Sequence, residues 1–344
     1  MSTEPLQQAI RRLAGRESLD GEALRGAFNV IMRGEGTPAQ IAALLMALRV
    51  KGETAGEVAG VVEALRDAMV VLPAHDPSGL VDTCGTGGGA LTTFNISTAA
   101  ALLAAGMGVR VAKHGNRSFT SRSGSADVLE ALGVLIETTP QAMAATLEQA
   151  GIVFMFAPLM HPALRHVGPV RRELGVPTVM NIVGPLANPA RAGRQVVGVA
   201  EPARLQLLAD ALAALGTRRA MVVHGEPGLD EVSPLGPTTV VEVQGGRSRE
   251  WIIDASIAGY AGVVADDLSG GEPAQNAQLI ELVLAGGGPP AARAAVVLNA
   301  AAALHVSDDR GTYAEAVEQT RNALASGVGA SALARLRVAS HAHR

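Results

Sequence analysis

From residue 80 onward the chain repeats one texture, and that repeat limits the possible folds more than any other feature. Short apolar runs, "LVDTC", "VRVAKH", "IVFMFA", "QVVGVA", "AMVVHG" and "TTVVEV", alternate with longer segments of helical spacing. Strands buried on both faces read as such runs, because neither set of alternating side chains meets water. Their alternation with helices predicts an α/β domain with a central, largely parallel sheet.

The first 72 residues carry no strand-like alternation and read as a stack of helices. Leu24, Ala27, Phe28 and Ile31 fall at helical spacing, and Gly34 can end that helix. In "GTPAQIAALLMALRVKG", Thr37 suits the N-cap, Pro38 the first helical position and Gly52 the stop. Its Met and Leu residues read as core or dimer interface. Another helix runs through "AGEVAGVVEALRDAMV", and "LPAHDPSG", 72–79, reads as a linker. "HPALRHVGPVRRELGVPTVMNIVGPLANP", 161–189, interrupts the strand pattern with helical, proline-punctuated chain that could cross back to the bundle. The expected division is a helical domain over 1–72, joined by part of 161–189, and an α/β domain over 80–344 with closing helices from 289.

Composition bounds the function. Aromatic residues are 2% of the chain, which leaves few rings to stack on bases. A net charge of −4 supplies no global field for nucleic acid or anionic lipid, so any anion site must be local. Cys84 is the only cysteine, which excludes an intramolecular disulfide framework and a multi-cysteine metal site. The N-terminus is polar and acidic, unlike a secretory signal, and no apolar run reaches the roughly 18–20 residues of a membrane span. A cytoplasmic protein without nucleic-acid or membrane partners is expected.

Three motifs carry chemistry. "GTGGGALTTFNIST", 85–98, follows the first strand and runs into a helix beginning near Ser97. Four glycines in five residues exceed the needs of a turn, and they let backbone N–H groups approach a phosphate. Thr86, Thr93, Ser97 and Thr98 could add hydroxyl donors. The spacing matches neither the Walker pattern nor GxGxxG, so ATP and NAD are not read from it. "KHGNRSFTSRSGSAD", 113–127, looks like a second phosphate turn. No acid stands between Thr83 and Ala126, whereas Arg110, Lys113, Arg117 and Arg122 do, which predicts a local positive site. "HGEPGLDEVSP", 224–234, places Asp230 beside Glu231 in a loop. Magnesium takes hard oxygen ligands and keeps several waters, so two loop carboxylates suffice.

Taken in order, "GTGG…TFNIST", "KHGNR…S…SGSAD", "VRRELGVPTVMNIVGPLANP", "HG…GLDE" and "VLNAAAAL" resemble the anthranilate phosphoribosyltransferase family. The likeness runs from the N-terminal helices to about residue 305. That family joins anthranilate to phosphoribosyl pyrophosphate (PRPP) in tryptophan biosynthesis. The resemblance implies a small helical domain hinged to a large α/β domain, a homodimer, and Mg2+ as cofactor. It also implies PRPP contacts at Gly85, Gly88, Gly89, Thr93, Asn95, Ile96, Ser97 and Thr98. The second loop would add Lys113, His114, Gly115, Asn116, Arg117, Ser118, Phe119, Thr120, Ser121 and Ser125. Anthranilate would meet Gly85, Asn116 and Arg171, with His114 and His161 lining its path, and Ser97, Asp230 and Glu231 would hold magnesium. No side chain is implied as an acid or base. One departure stands out: the family commonly reads GTGGD, whereas this chain has Gly89. Two rival readings are a pyrimidine nucleoside phosphorylase, which shares the architecture and a phosphate loop, and a non-catalytic nucleic-acid-binding relative. The KHGNR signature and the acidic pair speak against the first, and the few aromatics and acidic balance against the second.

Overall fold

The computed structural model describes residues 3–118, 122–308 and 311–342. The chain opens with four helices, α1 (Glu4–Ala14), α2 (Gly21–Met32), α3 (Pro38–Lys51) and α4 (Ala55–Ala68). Local chemistry sets their ends. Thr37 Oγ1 accepts from the Gln40 N–H at 3.3 Å and Gln40 Oε1 accepts from the Thr37 N–H at 3.0 Å, a reciprocal cap on α3. Thr54 and Glu57 repeat it on α4, and Gly52 ends α3 at φ +87°. Glu57, wholly buried, also accepts from the Leu19 N–H and from Lys51 Nζ, both at 2.9 Å, which ties the α3–α4 turn to the chain before α2.

Seven strands follow: β1 (Val81–Gly85), β2 (Val111–Gly115), β3 (Ile152–Phe156), β4 (Arg194–Gly198), β5 (Arg219–Gly225), β6 (Thr238–Gln244) and β7 (Arg247–Ile253). Their order is β3-β2-β1-β4-β5-β6-β7. The first five are parallel, and β6 and β7 extend them as an antiparallel hairpin. The sequence pattern shows six of these strands and misses β7. "RSREWII" lies at the sheet edge, mostly exposed, and has no apolar run to mark it. Its turn residues do mark it: Gly245 and Gly246 have φ of +57° and +76°, the mirror-image geometry that two-residue hairpins favour.

Alternate side chains face opposite layers, as a pleated strand requires. Val196, Met221, Val223 and Val240 pack toward α5 (Ile96–Gly106) and the Ala-rich helices Pro290–Ser307 and Val328–His341. Val197, Ala220, Val222 and Val241 pack toward the helix Leu205–Ala214 and share one core with Phe28, Leu44 and Leu65 of the bundle. Val167, Val170, Met180 and Ile182, from the proline-punctuated segment, enter that same core. The chain is therefore an N-terminal helical domain and a large α/β domain. No described helix is long and apolar enough to cross a membrane.

The strand order turns at β1 and β4, where successive crossovers leave in opposite directions. Ligands of such sheets bind beyond the carboxyl ends of the strands at that point.

Candidate active site

Four parallel strands, β1, β2, β4 and β5, all end on glycine at this face: Gly85, Gly115, Gly198 and Gly225. Each is bare because a loop lies directly on it. A Cβ on Gly85 would come 2.7 Å from Asp230 Oδ2, one on Gly198 1.7 Å from the Asp230 carbonyl oxygen, and one on Gly225 2.6 Å from the Glu231 carbonyl oxygen. A Cβ on Gly115 would come 2.1 Å from Ser125 Oγ. The chain after β5 is thus seated on the ends of β1 and β4, which delivers the acidic pair to the glycine loop. Gly198 and Gly225 escape sequence reasoning as site residues, although a recurrent terminal glycine is a legible signal.

The glycine loop closes onto this pair. Its Gly87 N–H donates to Asp230 Oδ2 at 2.9 Å, with Gly87 and Gly88 at φ of +70° and +81°. Glu231 lines a small cavity with Ser97 in the first turn of α5. Burial raises the Asp230 carboxyl; burial first, and then Asp230, push Glu231 up to about 8. A carboxyl that keeps its proton near neutrality surrenders it to a cation. Asp230, Glu231 and the Ser97 hydroxyl form a hard-oxygen donor set that fits magnesium. Among the described residues no group of three or more His, Cys, Asp or Glu is placed to hold a metal, so further ligands would be water and phosphate oxygens.

Lys113 lies beneath the N-terminus of α5. It is buried, and its ammonium donates to the Thr83 carbonyl, to Thr83 Oγ1 at 3.3 Å and to Ser97 Oγ at 3.2 Å, three acceptors for three protons. Asp82 stands behind it, wholly buried, accepting from Asn188 Nδ2 at 2.7 Å and the His114 N–H at 3.2 Å. Burial raises the Asp82 carboxyl to about 6 against the pull of Lys113. Here the lysine is a fixed charge under the loop.

Asn95 joins the two loops. Its Nδ2 donates to the Ser123 carbonyl at 3.0 Å, and its Oδ1 accepts from Ser123 Oγ at 3.2 Å and Asn276 Nδ2 at 2.9 Å. Ile96 and Thr98 are buried in α5, Thr93 bridges Ser269 through its backbone, and Gly88 is exposed. In the second loop, Asn116 Oδ1 accepts from the Arg117 N–H at 2.8 Å, and the Asn116 carbonyl accepts from the Ala126 N–H at 3.2 Å and Ser125 Oγ at 3.4 Å. Asp127, not singled out from sequence, staples the loop by accepting from the N–H groups of Gly124 at 2.8 Å and Ser118 at 3.1 Å. Phe119, Thr120 and Ser121 lie outside the described residues.

Two of the four cations in the acid-free window are compensated, while Arg122 is exposed with no ion pair among the described residues. Arg117 pairs with Asp127 at 3.1 Å and with Glu130 on α6 (Ser125–Ala131), and Arg110 pairs with Glu148. Asp127 and Glu130 stand just past the window and Glu148 lies further along the chain, where counting within the window does not see them. The positive character available to an anion comes from backbone amides, the α5 terminus, the buried Lys113 and the exposed Arg122.

His114, near the end of β2, meets His161 with ring centroids 5.0 Å apart. Both Nε2 atoms are buried without a hydrogen-bond partner among the described residues. Burial holds both rings below the usual imidazole range, His161 at about 4, so both are neutral at pH 7. Arg171, on the helix Gly168–Leu174, is half-buried while neighbouring Arg172 is exposed. Burial lowers its pKa, and Arg171 Nη2 reaches only the neutral Asn181 Oδ1, at 3.4 Å. Among the described residues no carboxylate pairs with this guanidinium.

Residues 7–69 match the helical bundle domain, and residues 78–330 the a/b domain, of a glycosyl transferase family. The chain is 48% identical over 336 residues to the anthranilate phosphoribosyltransferase of Thermomicrobium roseum, covering 97% of this chain and 96% of that one. This chain belongs to the anthranilate phosphoribosyltransferase family. The crystal structure of the Thermus thermophilus member matches with a TM-score of 0.91 at 41% identity, covering 97% of this chain and 99% of that chain. The Saccharomyces cerevisiae member in complex with PRPP and Mg matches with a TM-score of 0.88 at 26% identity over 98% of each chain. An anthranilate phosphoribosyltransferase is a pentosyltransferase, and this chain is one by family.

Gly89 gains meaning in this family. A Cβ there would lie 3.1 Å from both Asp230 Oδ1 and the Gly228 carbonyl oxygen, so an aspartate would bring a third carboxylate to the pair. Gly89→Asp is therefore expected to shift the magnesium optimum of activity to lower concentration. A magnesium titration with the same optimum in both proteins would remove the idea.

Proposed function

We propose that this chain transfers the 5-phosphoribosyl group of PRPP to the amine of anthranilate, releasing pyrophosphate, with Asp230, Glu231 and Ser97 holding Mg2+. The observation that carries the reading is the seating of the acidic pair on Gly85 and Gly198, where Gly87 bonds Asp230 beside the N-terminus of α5. When bound, the metal would offset the charge of the departing pyrophosphate. The exposed amides of the glycine loop and the α5 terminus are fixed donors for the same charge, and Lys113 adds a buried positive potential. Arg171 takes the anthranilate carboxylate, and the neutral rings of His114 and His161 line its path. No general base is required, because an arylamine is already unprotonated near pH 7. The main contribution is placement, worth up to about 7–11 kcal/mol when two reactants are held in line. Cytoplasmic residence and a homodimer belong to the same reading, supported by the single cysteine, the net charge of −4 and the family membership.

Loss of anthranilate fluorescence, dependent on PRPP and magnesium and matched by pyrophosphate release, tests the proposal; no consumption of anthranilate overturns it. Arg171→Ala is expected to raise the anthranilate KM about 10- to 100-fold, as loss of a charged hydrogen bond implies, with the PRPP KM within about twofold. Equal changes in both constants contradict the role of Arg171.

A further inference from the structure

The loop that carries the acidic pair is gripped one residue later by a side chain from the helix Pro290–Ser307. Asn299 is 3% exposed. Its Oδ1 accepts from the Val232 N–H at 2.9 Å, and its Nδ2 donates to the Val232 carbonyl at 2.9 Å and to the Ala295 carbonyl of its own helix at 2.9 Å. The side-chain amide thus imitates a neighbouring strand, pairing with both polar groups of one residue. The bond to Ala295 fixes its plane, and a flipped amide would set like groups against each other on all three contacts. From Ala291 to Ala303 every other buried side chain of this helix is Ala, Val or Leu, so packing alone does not call for an amide. Asn299 also lines a small cavity with Thr83, Ser97 and Glu231.

Beyond Val232, the loop is held at Ser233, whose N–H donates to Thr238 Oγ1 at 2.9 Å and whose Oγ accepts from the Leu235 N–H at 3.0 Å. Val232 is the fixed point adjoining Glu231. We propose that Asn299 is a positioning residue for the Asp230–Glu231 pair, clamping Val232 so that the two carboxylates face the glycine loop before a divalent ion arrives. The inference rests on the metal reading of that pair.

The test uses the full chain with PRPP and Mn2+ as the paramagnetic probe, its affinity read by electron paramagnetic resonance alongside the melting temperature. Asn299→Leu is expected to weaken Mn2+ by about 10-fold or more, the usual scale for losing a residue that orients metal ligands, with the anthranilate KM unchanged. Asn299→Asp keeps the acceptor but turns an oxygen toward two carbonyls, and it decides the matter if the leucine variant does not fold. Tyr313→Phe serves as control: it removes the 2.9 Å bond to the Leu298 carbonyl of the same helix without touching Val232. It is expected to melt earlier with wild-type Mn2+ affinity. Asn299 variants that behave like the control overturn the proposal. If Asp230→Asn also leaves Mn2+ affinity unchanged, the metal reading itself falls; if Asp230→Asn weakens it and the Asn299 variants do not, only the clamp falls.

Discussion

Gly198→Ala is expected to lower kcat/KM for PRPP at least about 100-fold while the helices and sheet stay folded. The added methyl would sit 1.7 Å from the Asp230 carbonyl oxygen and 2.4 Å from its carbon, far inside contact distance. Alanine has no rotamer by which to escape, and Gly198 is held in β4 between β1 and β5, so the Asp230 segment must retreat. A displacement of about 1 Å in a positioning element is enough for a loss on the order of 100-fold. The bond from Gly87 to Asp230 would lengthen as that segment moves. Steady-state kinetics with a circular-dichroism spectrum and melting curve make the measurement. Gly56→Ala in α4, where a Cβ meets nothing within 4 Å, should leave kinetics unchanged. Wild-type kinetics in Gly198→Ala would show that the seat of the acidic pair does not matter.

Glu242→Gln should produce the largest loss of stability, about 3–5 kcal/mol, with activity at 25 °C retained. Glu242 lies in β6 away from the glycine-ended face, inside a buried polar cluster. Its Oε1 accepts from Arg219 Nε at 3.0 Å and Nη2 at 2.7 Å, and its Oε2 from Arg249 Nη2 and Trp251 Nε1, each at 3.0 Å. Arg219 Nη1 continues to the His305 carbonyl at 2.8 Å, tying β5, β6 and β7 to the end of the helix Pro290–Ser307. Among the described residues, Glu242 is the carboxylate paired with the buried guanidinium of Arg219. Burial works against the Glu242 charge, yet the neighbouring His305 ring and the bonds from Arg219 bring its carboxyl down to about 2, below the ordinary 4.5. A depressed carboxyl stabilises fully above its unfolded value and loses that contribution as pH falls through its folded one. Wild-type and variant melting temperatures should therefore differ at pH 7 and draw together between about pH 4.5 and 2. A variant that melts with the wild type at pH 7 would refute the cluster's importance.

The parts of this molecule legible in its sequence are those decided over a few residues. The cap of α3 by Thr37 and Gln40, the stop at Gly52 and the six apolar strands follow from contacts within one turn or from a period of two. The order of the glycine loop, the KHGNR loop and the acidic pair carries the family resemblance without any geometry. β7 is hidden because an edge strand needs no apolar run, and only its paired glycines announce it.

Which charges remain available, and which groups meet, belonged to the tertiary structure. Arg110 and Arg117 look unopposed along the chain but are neutralised by side chains that the fold brings alongside, and Lys113 is turned under the loop it was expected to face. Gly198 and Asp230, or Asn299 and Val232, stand far apart in sequence and act as single units in space. The physical reason is range. Dihedral preference, capping and burial period act between near neighbours and are written locally, whereas steric exclusion and desolvation act between whatever surfaces the packed sheet brings into contact.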